Sequence, residues 1–204
     1  MNKIRFKKIK SKLNKNFLKQ LIKIIKTENA SSILAKLNYE NISLYLRCVI
    51  ESKELDLFLV INKKIIGYAI VADQPKFLTS SFENFQFKIL FDLLLKFRVS
   101  TIFNLFLFKI GIENYLISVE NRMKISKSVN LNLLAINKKY QSKGAGKKFM
   151  KYILKTLKFK KRKYITCETD NYRSKKFYIK KLKFKELGKK IRYPIFTSVL
   201  IKKI

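Results

Sequence analysis

The chain contains no histidine. That excludes a serine or cysteine nucleophile activated by imidazole, and a zinc centre is not expected either. Proton transfer therefore falls to carboxylates, tyrosines, lysines, chain termini or water. Cysteine is nearly as scarce. Cys48 and Cys167 lie far apart and match neither metal-ligand nor redox spacing, so both read as buried apolar side chains with free thiols in a reducing cytoplasm, the expected location. Acidic residues number 13 against 47 basic ones, a formal net charge of +34. Such an excess points to nucleic acid, to an anionic membrane surface or to an acidic ligand, or simply to a lysine-rich solvated surface. Only Arg5, Arg47, Arg98, Arg122, Arg162, Arg173 and Arg192 carry a guanidinium. Base and phosphate readers lean on that fork, so nucleic acid is not an expected partner.

Long uncharged runs are missing as well. The most apolar stretch, Phe87 to Ile112, is broken by Lys88, Asp92, Lys96, Arg98 and Lys109. Only Val99 to Phe108 is uncharged, whereas a membrane span needs about 20 apolar residues. Met1 to Lys15 is basic and lacks the apolar centre of a signal peptide. What the chain does have is a 48% hydrophobic content over 204 residues, enough for the core of one medium-sized domain. No internal repeat or low-complexity linker divides it, so a single domain over 1–204 is expected.

Periodicity orders the elements. Asn2 to Lys10 alternates apolar residues with lysine, as a charge-protected edge strand does. Helical spacing follows over Asn16 to Thr27 and over Ser31 to Glu51, with a break near Asn38 to Asn41. Leu55 to Ile61 and Ile65 to Ala72 read as a hairpin turning at Asn62-Lys63-Lys64. The phenylalanine-rich stretch of about 77–112 reads as a helical insertion packed on the sheet, with a substrate lid or a peripheral membrane patch as the other readings. Asn130 to Ile136 is then a strand, Asn137 to Gly146 a loop and Lys147 to Lys158 a helix. Tyr164 to Glu168 is a strand, followed by a helix capped by Asp170 or Asn171 and running to about Leu182. Phe184 to Gly188 and Ile195 to Ile201 are the last strands. This order implies a parallel or mixed central sheet with helices on its faces.

Gln141-Ser142-Lys143-Gly144-Ala145-Gly146 sits where a strand hands over to a helix. Glycines there let backbone N–H groups approach an anion, and the helix adds its unpaired amides and positive dipole end. The loop is neither a Walker A sequence nor a dinucleotide fingerprint. Alone it is an anion cradle or an ordinary tight turn.

Its neighbours add to this. Leu133 to Gly146 resembles the acetyl-CoA motif of the GCN5-related N-acetyltransferase (GNAT) superfamily: an apolar strand, a short linker, then Q/R-x-x-G-x-G/A. Asn171-Tyr172-Arg173-Ser174-Lys175-Lys176-Phe177-Tyr178 resembles the same superfamily's N-x-x-A/S-x-x-Φ-Y, where Φ is apolar. The likeness is strong over Asn130 to Phe184. After the tyrosine, the family's Y-x-x-x-G-F appears as Tyr178 to Phe184, one residue longer, with Lys183 in the glycine's place.

The resemblance implies an α/β (α+β) fold: a mixed, mostly antiparallel central sheet of six to seven strands flanked by helices, with the insertion before the coenzyme-binding strand and a binding core of about 129–188. It implies acetyl-CoA as co-substrate, an amine acceptor and no metal. Backbone amides of Leu134, Ala135 and Ile136 would receive the thioester carbonyl, and Gln141, Ser142, Lys143, Gly144, Ala145 and Gly146 the pyrophosphate. Asn171 would cap its helix or contact the coenzyme. Tyr178 would protonate the departing thiolate; a core tyrosine fits the same position. Glu168 is the candidate base, or a salt-bridged carboxylate. A small amine such as an amino sugar is the expected acceptor, a nucleotide-linked sugar if the positive charge is functional. A protein N-terminus or lysine is an alternative, and an RNA- or ribosome-associated module with a vestigial coenzyme loop is another. The sequence does not speak to oligomeric state.

Overall fold

The computed structural model describes residues 4–30, 32–74, 103, 106–107, 114, 116–157, 162–192 and 195–204. The insertion expected at about 77–112 therefore falls almost wholly outside the described residues.

Among the described residues seven strands form one sheet: β1 (Arg5–Ile9), β2 (Leu55–Asn62), β3 (Lys64–Ala72), β4 (Val129–Ile136), β5 (Tyr164–Thr169), β6 (Lys185–Arg192) and β7 (Ile195–Lys203). Their order across the sheet is β1-β2-β3-β4-β5-β7-β6. Every neighbouring pair is antiparallel except β4 and β5. The lysine-rich β1 does lie at an edge, where Lys8 is paired with Asp56 of β2 at 2.6 Å. The β2–β3 hairpin closes so tightly that Asn62 pairs with Lys64, and Lys63 between them takes a left-handed φ of 58°.

Asparagine and serine oxygens start most of the helices, each satisfying an amide that the first turn leaves without a partner. Asn14 caps α1 (Lys15–Glu28), Ser32 the short α2 (Ile33–Lys36) and Asn38 α3 (Tyr39–Glu51). The break expected near Asn38 is thus the junction between α2 and α3. Ser118 caps α4 (Val119–Ser126), a helix that the apolar pattern did not announce because only Ile125 of its eight residues is buried. A single 3-10 turn (Lys138–Tyr140) leads to α5 (Ala145–Leu157).

Two cores sandwich the sheet. On one face Leu21 and Ile25 of α1 and Ile42, Tyr45 and Leu46 of α3 pack on Leu57, Leu59, Tyr68 and Ile70. On the other, Phe149, Met150 and Ile153 of α5 meet Phe58, Val60, Val129, Leu131 and Ile165. Each such fully buried apolar side chain contributes roughly 1.5–3 kcal/mol, so the two faces hold β3 and β4 rigidly between them. Among the described residues, no helix is long and apolar enough to cross a membrane.

Candidate active site

The site begins where the only parallel pairing among the described residues stops. Strand β4 pairs with β5 at Val129–Ile165, Asn130–Thr166 and Leu131–Cys167, and no further. A buried polar knot holds this short seam: Ser128 Oγ and Thr166 Oγ1 lie 2.8 Å apart, and Asn130 Nδ2 reaches Thr166 Oγ1 at 3.4 Å. Beyond it the strands part.

A bulge marks the point of departure. Ile70 of β3 faces Leu133 while Val71 faces Leu131, so Asn132 is an extra residue. Such an insertion shifts the strand's alternation by one. Val129 and Leu131 accordingly pack in the α5 core, whereas Leu133 and Ala135 turn to the α1–α3 core.

Past the bulge, the direction of the amides follows from one bond. Asn137 N–H donates to the Ile66 carbonyl of β3 at 2.8 Å, and antiparallel ladders alternate bonded with unbonded residues. Ala135 is therefore bonded to β3 opposite Tyr68, and Leu134 and Ile136 aim their backbone groups at the edge that β5 has left. The Ile136 carbonyl confirms this phase, because Gln141 Nε2 takes it at 2.7 Å from that side. Of the three amides expected to meet a thioester carbonyl, two face the gap and Ala135 does not. Gly67 lets β3 lie close here: a Cβ at that position would sit 2.7 Å from the Ala135 carbonyl oxygen.

The gap opens into a cavity of about 430 Å³, within the range of small-ligand sites. Leu131 to Leu134 form one wall, Glu168 to Asn171 with Ser174 and Tyr178 the other, and Glu28, Asn29 and Ser32 from the end of α1 and the start of α2 the third. This third wall lies about a hundred residues or more away in sequence, and no local motif marked it.

At the far end of β4, Ser142 and Gly144 adopt left-handed φ values of 62° and 77°. That turn leads directly into the start of α5, whose first amides have no helical partner. Gln141 acts as a staple, its amide shared between the Ile136 carbonyl and Glu28 Oε2 at 3.4 Å. Lys143 is exposed, as are Lys147 and Lys148 beyond the loop, while Ala145 is buried. Arg173 was not picked out from the sequence, but its guanidinium donates to Ser142 Oγ at 3.0 Å and so adds a fixed positive charge beside the loop.

Asn171, not Asp170, caps α6 (Tyr172–Lys176), its Oδ1 accepting from Ser174 N–H at 3.1 Å. The helix continues as a π turn over Phe177–Lys181. The extra residue between Tyr178 and Phe184 goes into this turn. Phe184 N–H reaches back to the Tyr178 carbonyl at 3.1 Å and Lys183 N–H to that of Ile179 at 3.2 Å, whereas the usual left-handed helix ending closes one residue sooner. Lys183 takes the left-handed position itself, at φ 61°. The tyrosine's placement is unaffected.

Tyr178 is 7% exposed, its ring edge-on to Phe177 and Phe184 with centroids 5.5 and 5.3 Å away, and it lines the cavity. Burial, and secondarily the neighbouring Cys167, push its phenol well above the usual tyrosine range, so it holds its proton at any physiological pH. Glu168 lies on the same cavity and is ion-paired at 2.7 Å with Lys190 of β6, itself only 6% exposed. The salt-bridged reading of Glu168 is thus part of the picture, alongside its position on the cavity wall.

Residues 117–184 match the model of the acetyltransferase (GNAT) family. No curated protein sequence matches the chain. Among solved structures, an acetyl-CoA complex of Arabidopsis thaliana NAA60 superimposes with a TM-score of 0.57 at 12% identity, covering 99% of both chains. The ribosomal-protein-S18-alanine N-acetyltransferase of Escherichia coli gives 0.56 at 13%, over 100% of this chain and 94% of that one. The mosquito arylalkylamine N-acetyltransferase like 5b gives 0.59 at 13%, over 99% and 100%. At such identities the structures speak for the fold, which is GNAT-like, and the match to the GNAT acetyltransferase family model, confined to residues 117–184, spans both loop motifs.

Proposed function

We propose that the protein transfers the acetyl group of acetyl-CoA directly to a primary amine, with no covalent enzyme intermediate. The observation that carries this reading is the parting of β4 from β5 after Leu131 and Cys167, which puts the free amide of Leu134, Tyr178 and Glu168 around one cavity. The left-handed turn at Ser142 and Gly144 and the guanidinium of Arg173 suit a pyrophosphate at one end. Bound acetyl-CoA supplies an activated thioester.

The chain's own groups then divide the work. The amine must first lose its ammonium proton, to Glu168 directly or through water. Its lone pair forms the C–N bond while negative charge grows on the carbonyl oxygen, which the free amide of Leu134 receives. As the C–S bond breaks, the Tyr178 hydroxyl gives its proton to the departing sulfur and the nitrogen sheds its extra proton to water, leaving the amide and a free thiol. The tyrosine recovers a proton from solvent. Lys190 keeps Glu168 oriented on the cavity. The free thiols of Cys48 and Cys167 fit a cytoplasmic setting.

Thiol release from acetyl-CoA with a panel of amines, amino sugars and peptides tests the reading, together with calorimetric titration by coenzyme A. Turnover with at least one primary amine is expected. A protein that binds no coenzyme A at all would sink it.

A further inference from the structure

The cavity's charge is opposite to that of the protein. Basic residues make up 47 of 204, so a lining of this size would carry about three; among the described lining residues there is no lysine or arginine. Glu28, Glu168 and Asp170 are there instead, from a chain with 13 acidic residues in all. Glu168 is matched by Lys190, but neither Glu28 nor Asp170 forms an ion pair with a described lysine or arginine. Among the described residues, Glu28 accepts only from Lys138 N–H at 3.2 Å and the Gln141 amide. The wall between them is acceptor-rich too. Asn29 spends its Nδ2 on the hydroxyl of the buried Tyr68 at 2.6 Å, which fixes the amide and leaves Oδ1 as the group still to be bonded. The described carboxylates do not form a group that could hold a metal ion, so an organic cation is the fitting occupant.

Resting on the transferase reading above, we propose that the acceptor is a primary amine carrying a second positive charge, such as a diamine or polyamine, held by Glu28, Asp170 and the Asn29 carbonyl. One nitrogen must be neutral to attack the thioester. The other keeps its ammonium, and two uncompensated carboxylates with a fixed amide oxygen supply acceptors for its N–H groups. An acidic acceptor, to which the overall charge of +34 points, would meet like charge on this wall. The site thus carries both signs, Arg173 beside the loop for phosphate and Glu28 and Asp170 on the cavity wall for a cation.

The test compares 1,4-diaminobutane, butylamine and 4-aminobutyrate on the full chain, by calorimetric titration with coenzyme A present and by thiol release from acetyl-CoA. The diamine should bind at least about tenfold tighter than butylamine, as a charge-assisted contact warrants, and 4-aminobutyrate should bind most weakly. Glu28→Gln and Asp170→Asn should each shrink the ratio of diamine to butylamine. Equal affinities for diamine and butylamine, or preference for 4-aminobutyrate, would overturn this proposal while leaving the transferase reading intact. Absence of coenzyme A binding strikes that earlier reading, and the diamine titration without coenzyme still decides this one.

Discussion

Removing the hydroxyl of Tyr178 while keeping its ring isolates the proton-donor step. In Tyr178→Phe the edge-on contacts with Phe177 and Phe184, at 5.5 and 5.3 Å, lose no carbon atom. No described residue bonds the hydroxyl, so its deletion strands no partner and stability should stay within about 0.5 kcal/mol. The rate is where the change should appear. A positioned general acid contributes about 10²- to 10⁴-fold, equivalent to roughly 3–5 kcal/mol of barrier. Thiol release at saturating acetyl-CoA should therefore fall by that factor in kcat, with coenzyme A affinity unchanged. The sign of the pH dependence follows from the same burial. The protonated phenol is the working form and its pKa is raised, so wild-type activity should not decline through Tyr178 until pH exceeds the ordinary tyrosine value of 10.0. Were the tyrosine a base, activity would instead climb as pH rose toward that range. A Tyr178→Phe enzyme within about threefold of wild-type kcat, coenzyme still bound, refutes the assignment.

Other perturbations probe the frame. Gly67→Ala brings a Cβ to 2.7 Å from a backbone oxygen that the core on either side holds in place; a loss of about 1–3 kcal/mol is expected, read as a drop of about 2–4 °C in Tm per kcal/mol. Lys183→Gly relieves a left-handed lysine at φ 61° and should raise the denaturant midpoint by the equivalent of up to about 1 kcal/mol. An unchanged midpoint would mean that the lysine is not strained there. Arg173→Ala should weaken coenzyme A binding several-fold and flatten its salt dependence, whereas equal affinity in calorimetry would confine Arg173 to tethering Ser142.

Much of the frame could be read before any coordinates. The repeats of Leu21, Ile22 and Ile25 and of Phe149, Met150 and Ile153 belong to helices that bury a single face, and that periodicity is local information. The hairpin at Lys63 and the loop at Gly144 likewise announce themselves by residue type. The bulge at Asn132 does not, because an inserted residue that keeps the strand extended leaves no compositional trace. The departure from the family pattern after Tyr178 was visible as spacing, but only the backbone reveals that a wider helical turn takes up the extra residue. Least legible was the third wall. Glu28 and Asn29 look like the polar end of an amphipathic helix until the sheet brings them opposite Asp170, and the global charge pointed the wrong way for the cavity's own sign.

The short seam between β4 and β5 has a mechanical meaning. Three residue pairs and a knot of hydroxyls are all the ladder that joins a four-stranded half of the sheet to a three-stranded one. An elongated ligand lying along the open edge of β4 would serve as the missing rungs, bonded to one half and packed on the other. Filling the site is then a structural event as well as a catalytic one: at a hundred times its dissociation constant such a ligand adds about 2.7 kcal/mol to the folded state. The amides of Leu134 and Ile136 should gain more hydrogen-exchange protection from it than those of any strand interior.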